Sequence, residues 1–201
     1  MTKINGLFDL WPLDRTYFIT PFFSKKRVLD DLKLGGLCVN GTREFLNTKI
    51  VISDIYGSSD HEWDEMGANH SEVNALCNAI DNEDDDFVSE TYNAKYYTFL
   101  KEAIESAREF FSSDCIETRR AVIQFPTTHC FETIQVLIRD KKCVIAVNMR
   151  SCNAYKNLMN DAYLSYKVAM AVALGFDIDD CVMSMNIGSL HLFEEDLKYV
   201  L

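Results

Sequence analysis

Two β-rich runs divided by a short polar break, then a long apolar helix, constrain this chain more than any other feature. Ile134–Ile138 and Cys143–Met149 have strand composition, and Arg139-Asp140-Lys141-Lys142 between them reads as a polar turn. Asp161 opens the apolar helix Ala162–Leu174, and His191 ends a further strand. Chemistry-bearing side chains fall at the ends of these elements: Cys130 where the β-rich run opens, Arg150-Ser151 after the second strand, Asp161 at the helix start, and His191. Catalytic and binding groups are usually mounted at such element ends.

Composition sets the outer limits. The 201 residues predict one domain spanning 1–201, and 48% hydrophobic with 25% charged residues is ordinary globular composition. No apolar run reaches the roughly eighteen residues of a membrane span, and the N-terminus lacks a signal pattern. Seven cysteines, an odd number without CxxC pairing, point to a reducing cytoplasm rather than a disulfide framework. The four histidines are well separated, so no zinc-ligand spacing exists and no metal is expected. A net charge of −11 disfavours nucleic-acid polymers as partners, whereas a mononucleotide needs only a few well-placed arginines.

Along the chain, residues 1–36 carry no clear motif. Asn40–Asp54 reads as a turn feeding a strand, and Ser71–Ile80 as a helix capped by Ser71. The acidic run 81–86 lacks the glycine and ligand ladder of an EF-hand and reads as a solvated loop. Apolar residues from Glu90 to Phe111 recur at helical spacing, giving one amphipathic helix with Asp114-Cys115 as its loop. Arg119-Arg120 then opens a strand, Ala121–Phe125. These elements predict a single mixed domain of the α/β (α+β) class.

The order and spacing of the polar residues resemble the thymidylate synthase superfamily, which includes the phage-type deoxycytidylate hydroxymethylases. Gln135 follows Cys130 by five residues, Arg150-Ser151 by twenty and twenty-one, Asp161 by thirty-one and His191 by sixty-one, all in register with that family. The local segments LIRDKK, VNMRS, MND and GSLH are closest to the hydroxymethylase branch. The match covers roughly residues 117–196.

The resemblance implies a thymidylate synthase-like fold, with a mixed sheet against a long central helix. It implies a folate-dependent C5 hydroxymethyl- or methyltransferase acting on a pyrimidine mononucleotide, dCMP favoured over dUMP, with 5,10-methylenetetrahydrofolate as cofactor. Cys130 is then the nucleophile at C6; a thiolate is the better nucleophile and needs positive charge nearby, which Arg150 can supply. Glu72 lies where the family keeps a glutamate that organises water near the base. Arg119, Arg120, Arg150 and Ser151 are the phosphate candidates, guanidinium forks matching phosphate oxygens. In the family the paired arginines serve the neighbouring subunit, which implies a homodimer with shared active sites. Gln135 and His191 complete the substrate-binding set, with His191 on the sugar. Asp161 reads the base, because an ionised carboxylate accepts from the amine of cytosine and repels the O4 of uracil; as the first residue of its helix it also suits an N-cap.

Several positions depart from the family. Phe193 stands for the tyrosine that accompanies the histidine, Asn153 for an aspartate, and Cys38-Val39 for the early phosphate-binding arginine, with Arg43 the nearest cation. A Tyr-Gly element is not recognisable around Tyr92–Tyr97. Family members also continue beyond the position of Leu201, so part of the folate site is expected to be missing, supplied otherwise, or unused. These departures keep a second reading open: a catalytically inactive homologue that binds nucleotide or serves as an assembly subunit.

Overall fold

The computed structural model describes residues 15–19, 25–111 and 116–200; the loop expected at Asp114-Cys115 lies outside the described residues. A seven-stranded mixed sheet runs through it. In chain order its strands are β1 (Thr16–Ile19), β2 (Leu37–Val39), β3 (Thr42–Ile52), β4 (Val122–Gln124), β5 (Phe131–Arg139), β6 (Lys142–Asn153) and β7 (Asp180–Phe193). Spatially they lie β1-β3-β7-β6-β5-β4, with β2 added to β3. Only β1–β3 and β6–β7 are parallel.

Two turns set the register. Asn40-Gly41 joins β2 to β3, and Asp140-Lys141 joins β5 to β6, all four residues at positive φ. Two-residue turns of that hand match the twist of the strands they connect. The polar break at 139–142 is therefore a tight hairpin, with Arg139 paired to Lys142.

Five helices accompany the sheet: α1 (Lys26–Gly35), α2 (Asp60–Met66), α3 (His70–Asp81), α4 (Phe99–Glu109) and α5 (Leu158–Val172). The central one is α5, which crosses from β6 back to β7. Twelve of its fifteen residues are buried, because it rests on β5 and β6 and is wrapped by α2, α3 and α4. A helix apolar all round is a core helix. None of the helices is long and apolar enough to cross a membrane among the described residues.

Boundaries differ from the sequence-based expectations for local reasons. Helix α3 starts one residue earlier and is capped by Asn69, whose side chain accepts from Glu72 N, so Ser71 is not the cap. The predicted helix from Glu90 shrinks to α4, because residues 88–93 fold into a turn instead. There Ser89 N donates to Tyr92 O at 2.7 Å, Tyr92 N donates to Ser89 Oγ at 2.9 Å, and Asn93 caps the short 3-10 turn Ala94–Tyr96. Asp161 is not a cap either, since its N–H bonds Asn157 O within α5.

One level of the sheet carries a step. Ladder pairing runs Met149–Ile187 then Ser151–Ser189, and Thr48–Ile187 then Leu46–Ser189, while β5 is bulged between Phe131 and Thr133. Alternate residues from Cys143 to Met149 and from Cys181 to Ile187 face the core, but beyond Arg150 and Gly188 the inward residues become Cys152, Leu190 and Leu192. Bulges re-aim side chains near sites. This one separates the regular sheet from the end that carries Cys130, Ser151 and His191.

Candidate active site

Cys130 sits immediately before β5, on the lip of a cavity of about 460 Å³. Two strand-end groups hold it. Arg150 N donates to Cys130 O at 2.8 Å, and Ser151 Oγ lies 3.4 Å from the thiol sulfur. The Arg150 guanidinium donates to Thr127 O at 3.2 Å, bracing the loop that delivers the cysteine. Gly188 is needed opposite, because a Cβ there would come within 2.8 Å of Arg150 O.

The cavity floor is Asp161, only 4% exposed. Tyr92 Oη donates to its Oδ1 at 3.2 Å, and the Cys152 thiol approaches Oδ2 at 3.7 Å. Burial raises its pKa to about 7, against which the Tyr92 and Cys152 hydrogen bonds act by favouring the carboxylate. The same burial, with the charge of Asp161 next, pushes Tyr92 and Cys152 upward, so both stay protonated donors. Tyr97 is raised too, by burial first and then by Asp161 and Cys130.

Glu72 stands behind this floor rather than in the cavity. Its carboxylate accepts from Thr91 N at 3.1 Å, from Thr91 Oγ1 at 3.0 Å and from Asn160 Nδ2 at 3.3 Å. Asn160 Oδ1 in turn accepts from Asn69 N at 2.6 Å. Glu72 thus reaches Asp161 through the neighbouring asparagine and the tyrosine turn.

An aromatic wall completes the cavity. Tyr96, Tyr97, His129 and Phe131 line it, and His129 Nε2 lies 2.8 Å from Tyr96 O. His129 meets Tyr97 and Phe99 edge to face. Flat rings beside an exposed thiol can stack on a planar heterocycle.

Other expected site residues lie apart from the cavity. Gln135 is on the sheet face without helices, its amide donated to Arg119 O at 2.8 Å. Arg119 and Arg120 are exposed beside β4, at the sheet edge. His191 is on β7 opposite Asn153 and Glu44, one strand over from Ser151; its ring packs edge-on to Phe193 at 5.3 Å. Asn153 caps the chain into α5, accepting from Tyr155 N and Lys156 N.

Sequence reasoning missed Tyr92, Tyr97, His129 and Cys152. No local signal marked Tyr92, because Tyr92, Tyr96 and Tyr97 repeat at helical spacing. No family model and no curated protein matches the chain.

Proposed function

We propose that this protein is a folate-dependent C5 transferase of thymidylate synthase-like fold acting on a pyrimidine mononucleotide, with dCMP preferred. The observation that carries this reading is one cavity holding an accessible thiol at its lip and a buried carboxylate on its floor. A pyrimidine base bound flat between them offers C6 to the thiol and its 4-position to the carboxyl.

Chemically, the Cys130 thiolate adds to C6 and the electrons of the C5–C6 double bond move toward C5, making C5 a carbon nucleophile. Asp161 takes the exocyclic amine of cytosine as a hydrogen-bond donor. After C5 bonds the one-carbon unit and loses its proton, the bond from that carbon to the carrier nitrogen breaks and leaves an exocyclic methylene. Water adding there gives hydroxymethyl (hydride would give methyl), and the returning electrons expel the Cys130 sulfur from C6 as the ring double bond re-forms. Methylenetetrahydrofolate would supply the one-carbon unit, and the ring-lined wall at Tyr96, Tyr97 and His129 fits a flat heterocycle stacked beside the base. In this reading the phosphate end would fall to Arg150 and Ser151: the Ser151 hydroxyl lies beside the thiol, while the Arg150 guanidinium, held on Thr127 O and lining a neighbouring cavity, would have to swing toward it.

The sheet face that no described helix covers supports the dimer in this reading. A row of cross-strand neighbours, Phe18, Val51, Ser184, Ala146, Gln135 and Val122, runs across it from β1 to β4, and Phe18 is 70% exposed. With two copies packed through this face, the family resemblance would then have the edge arginines of one copy serve the other's site. Isologous packing of this kind gives a two-fold dimer.

A second reading, a catalytically inactive nucleotide-binding subunit, is favoured by Phe193, whose ring cannot bond a sugar hydroxyl beside His191. Incubation with dCMP or dUMP and methylenetetrahydrofolate labelled in its one-carbon unit separates the two. Label appearing at C5 of the nucleotide supports the transferase; nucleotide binding without any transfer supports the subunit and rejects the enzyme.

A further inference from the structure

The cavity wall formed by residues 88–93 is fastened from two sides. Inside the turn, Ser89 and Tyr92 exchange hydrogen bonds, and Val88 bridges Asn93. From outside, the Glu72 carboxylate takes both the N–H and the hydroxyl of Thr91, and also the amide of Asn160. One carboxylate therefore ties the turn carrying Tyr92 to the helical turn carrying Asp161. Tyr92 is only 2% exposed, with its ring edge-on to Tyr97 at 5.6 Å and its hydroxyl 3.2 Å from Asp161 Oδ1.

We propose that Tyr92 is the positioning residue of Asp161, holding one carboxyl oxygen so that the remaining lone pairs face the 4-position of a bound pyrimidine, and that Glu72 and Thr91 act through it. This rests on Asp161 being the base-reading group. Of the two donors to Asp161, the hydroxyl is much the stronger, since a thiol at 3.7 Å is a weak one. The other titratable groups around it are Tyr97 on the same wall, Cys130 at the lip, Glu72 behind Asn160, and Lys25, which acts on Cys152 from the far side. Removing the Tyr92 hydroxyl frees the carboxyl to rotate and withdraws a bond that favours its ionised form. An ionised Asp161 accepts from cytosine and repels the O4 of uracil, whereas the acid form can donate to O4. Preference for cytosine should therefore grow as Asp161 ionises.

The test is calorimetric titration of dCMP and dUMP from about pH 5 to about pH 8.5, spanning the region where the carboxyl ionises. The ratio of the two dissociation constants is read, so that the shared phosphate cancels. In the wild type the ratio climbs through neutral pH. In Tyr92→Phe the climb moves up by about one to two pH units, the loss of one charge-assisted bond, while deoxyribose 5-phosphate binds unchanged. Thr91→Val moves it the same way by less. A folded Tyr92→Phe protein with the wild-type midpoint overturns the proposal and leaves base reading by Asp161 intact. If Tyr92→Phe does not fold, an unmoved midpoint in Thr91→Val overturns it. A ratio flat with pH in the wild type, or unaltered in Asp161→Asn, removes the base-reading role itself and this proposal with it.

Discussion

Asp161 should cost the protein stability above neutral pH, and the size of that cost follows from its surroundings. Its side chain is buried at the cavity floor, with one hydroxyl and one thiol as donors and a pKa raised from 3.8 to about 7. The folded state therefore binds this proton more tightly than the unfolded chain. Below the ordinary carboxylate value both states are protonated and nothing is lost. As pH rises through the folded value, the unfolded state has already shed the proton and stability declines. The separation of about three pH units corresponds to about 4 kcal/mol, an upper figure given the compactness of real denatured chains. Asp161→Asn removes the ionisation and keeps the shape, so its stability relative to wild type should improve by about 2–4 kcal/mol between acid and mildly alkaline solution. Urea unfolding of both proteins across that range reads the difference. Parallel stability curves, or a mutant that loses ground as pH rises, would show that Asp161 ionises as easily in the fold as outside it. Functional residues that destabilise the fold in this way are a recognised trade-off.

Three further outcomes are expected. Gly188→Ala places a methyl 2.8 Å from Arg150 O and should lower stability by about 1–3 kcal/mol, read by thermal unfolding; an unchanged midpoint would mean that the strands relax freely there. Val182→Lys, beside Val144 on the sheet face that no described helix covers, should turn the proposed dimer into a monomer in sedimentation without changing the circular dichroism; a dimer that survives it lies elsewhere. Cys130→Ser and Arg119→Ala/Arg120→Ala, each inactive alone, should regain activity on subunit exchange if sites are shared, and no recovery despite proven exchange would assign the arginine pair to solvent.

The sheet half of the fold was legible because its signals are local. Alternation in 134–138 and 143–149 and the polar break between them gave β5, β6 and their turn, and the all-round apolar segment after Asp161 gave most of α5. The tyrosine turn was not legible. Tyr92, Tyr96 and Tyr97 repeat at helical spacing, and what breaks the helix there is a carboxylate nineteen residues earlier that captures Thr91, a contact no local window contains. The cluster around Asp161 was half legible. Cys130, Arg150, Ser151 and Asp161 could be named from spacing; Cys130 and Asp161 line one cavity, Ser151 and the Arg150 backbone touch Cys130, and the Arg150 side chain lines a neighbouring cavity. Gln135 could not be judged from spacing, because the bulge between Phe131 and Thr133 shifts the alternation and carries it, four residues past Phe131, to the opposite sheet face. Cys152 was passed over as one structural cysteine among several. Its approach to Asp161 depends on the step in the sheet at Arg150, which turns it inward.

The most direct test of the central claim is release of tritium from C5 of labelled dCMP with methylenetetrahydrofolate present, comparing wild type with Cys130→Ser. Wild type should release tritium and Cys130→Ser should not, with the fold and nucleotide binding retained, because breaking the C5–hydrogen bond requires sulfur at C6. Release that persists without the Cys130 sulfur, or that is lost only when a different cysteine is replaced, would contradict the claim.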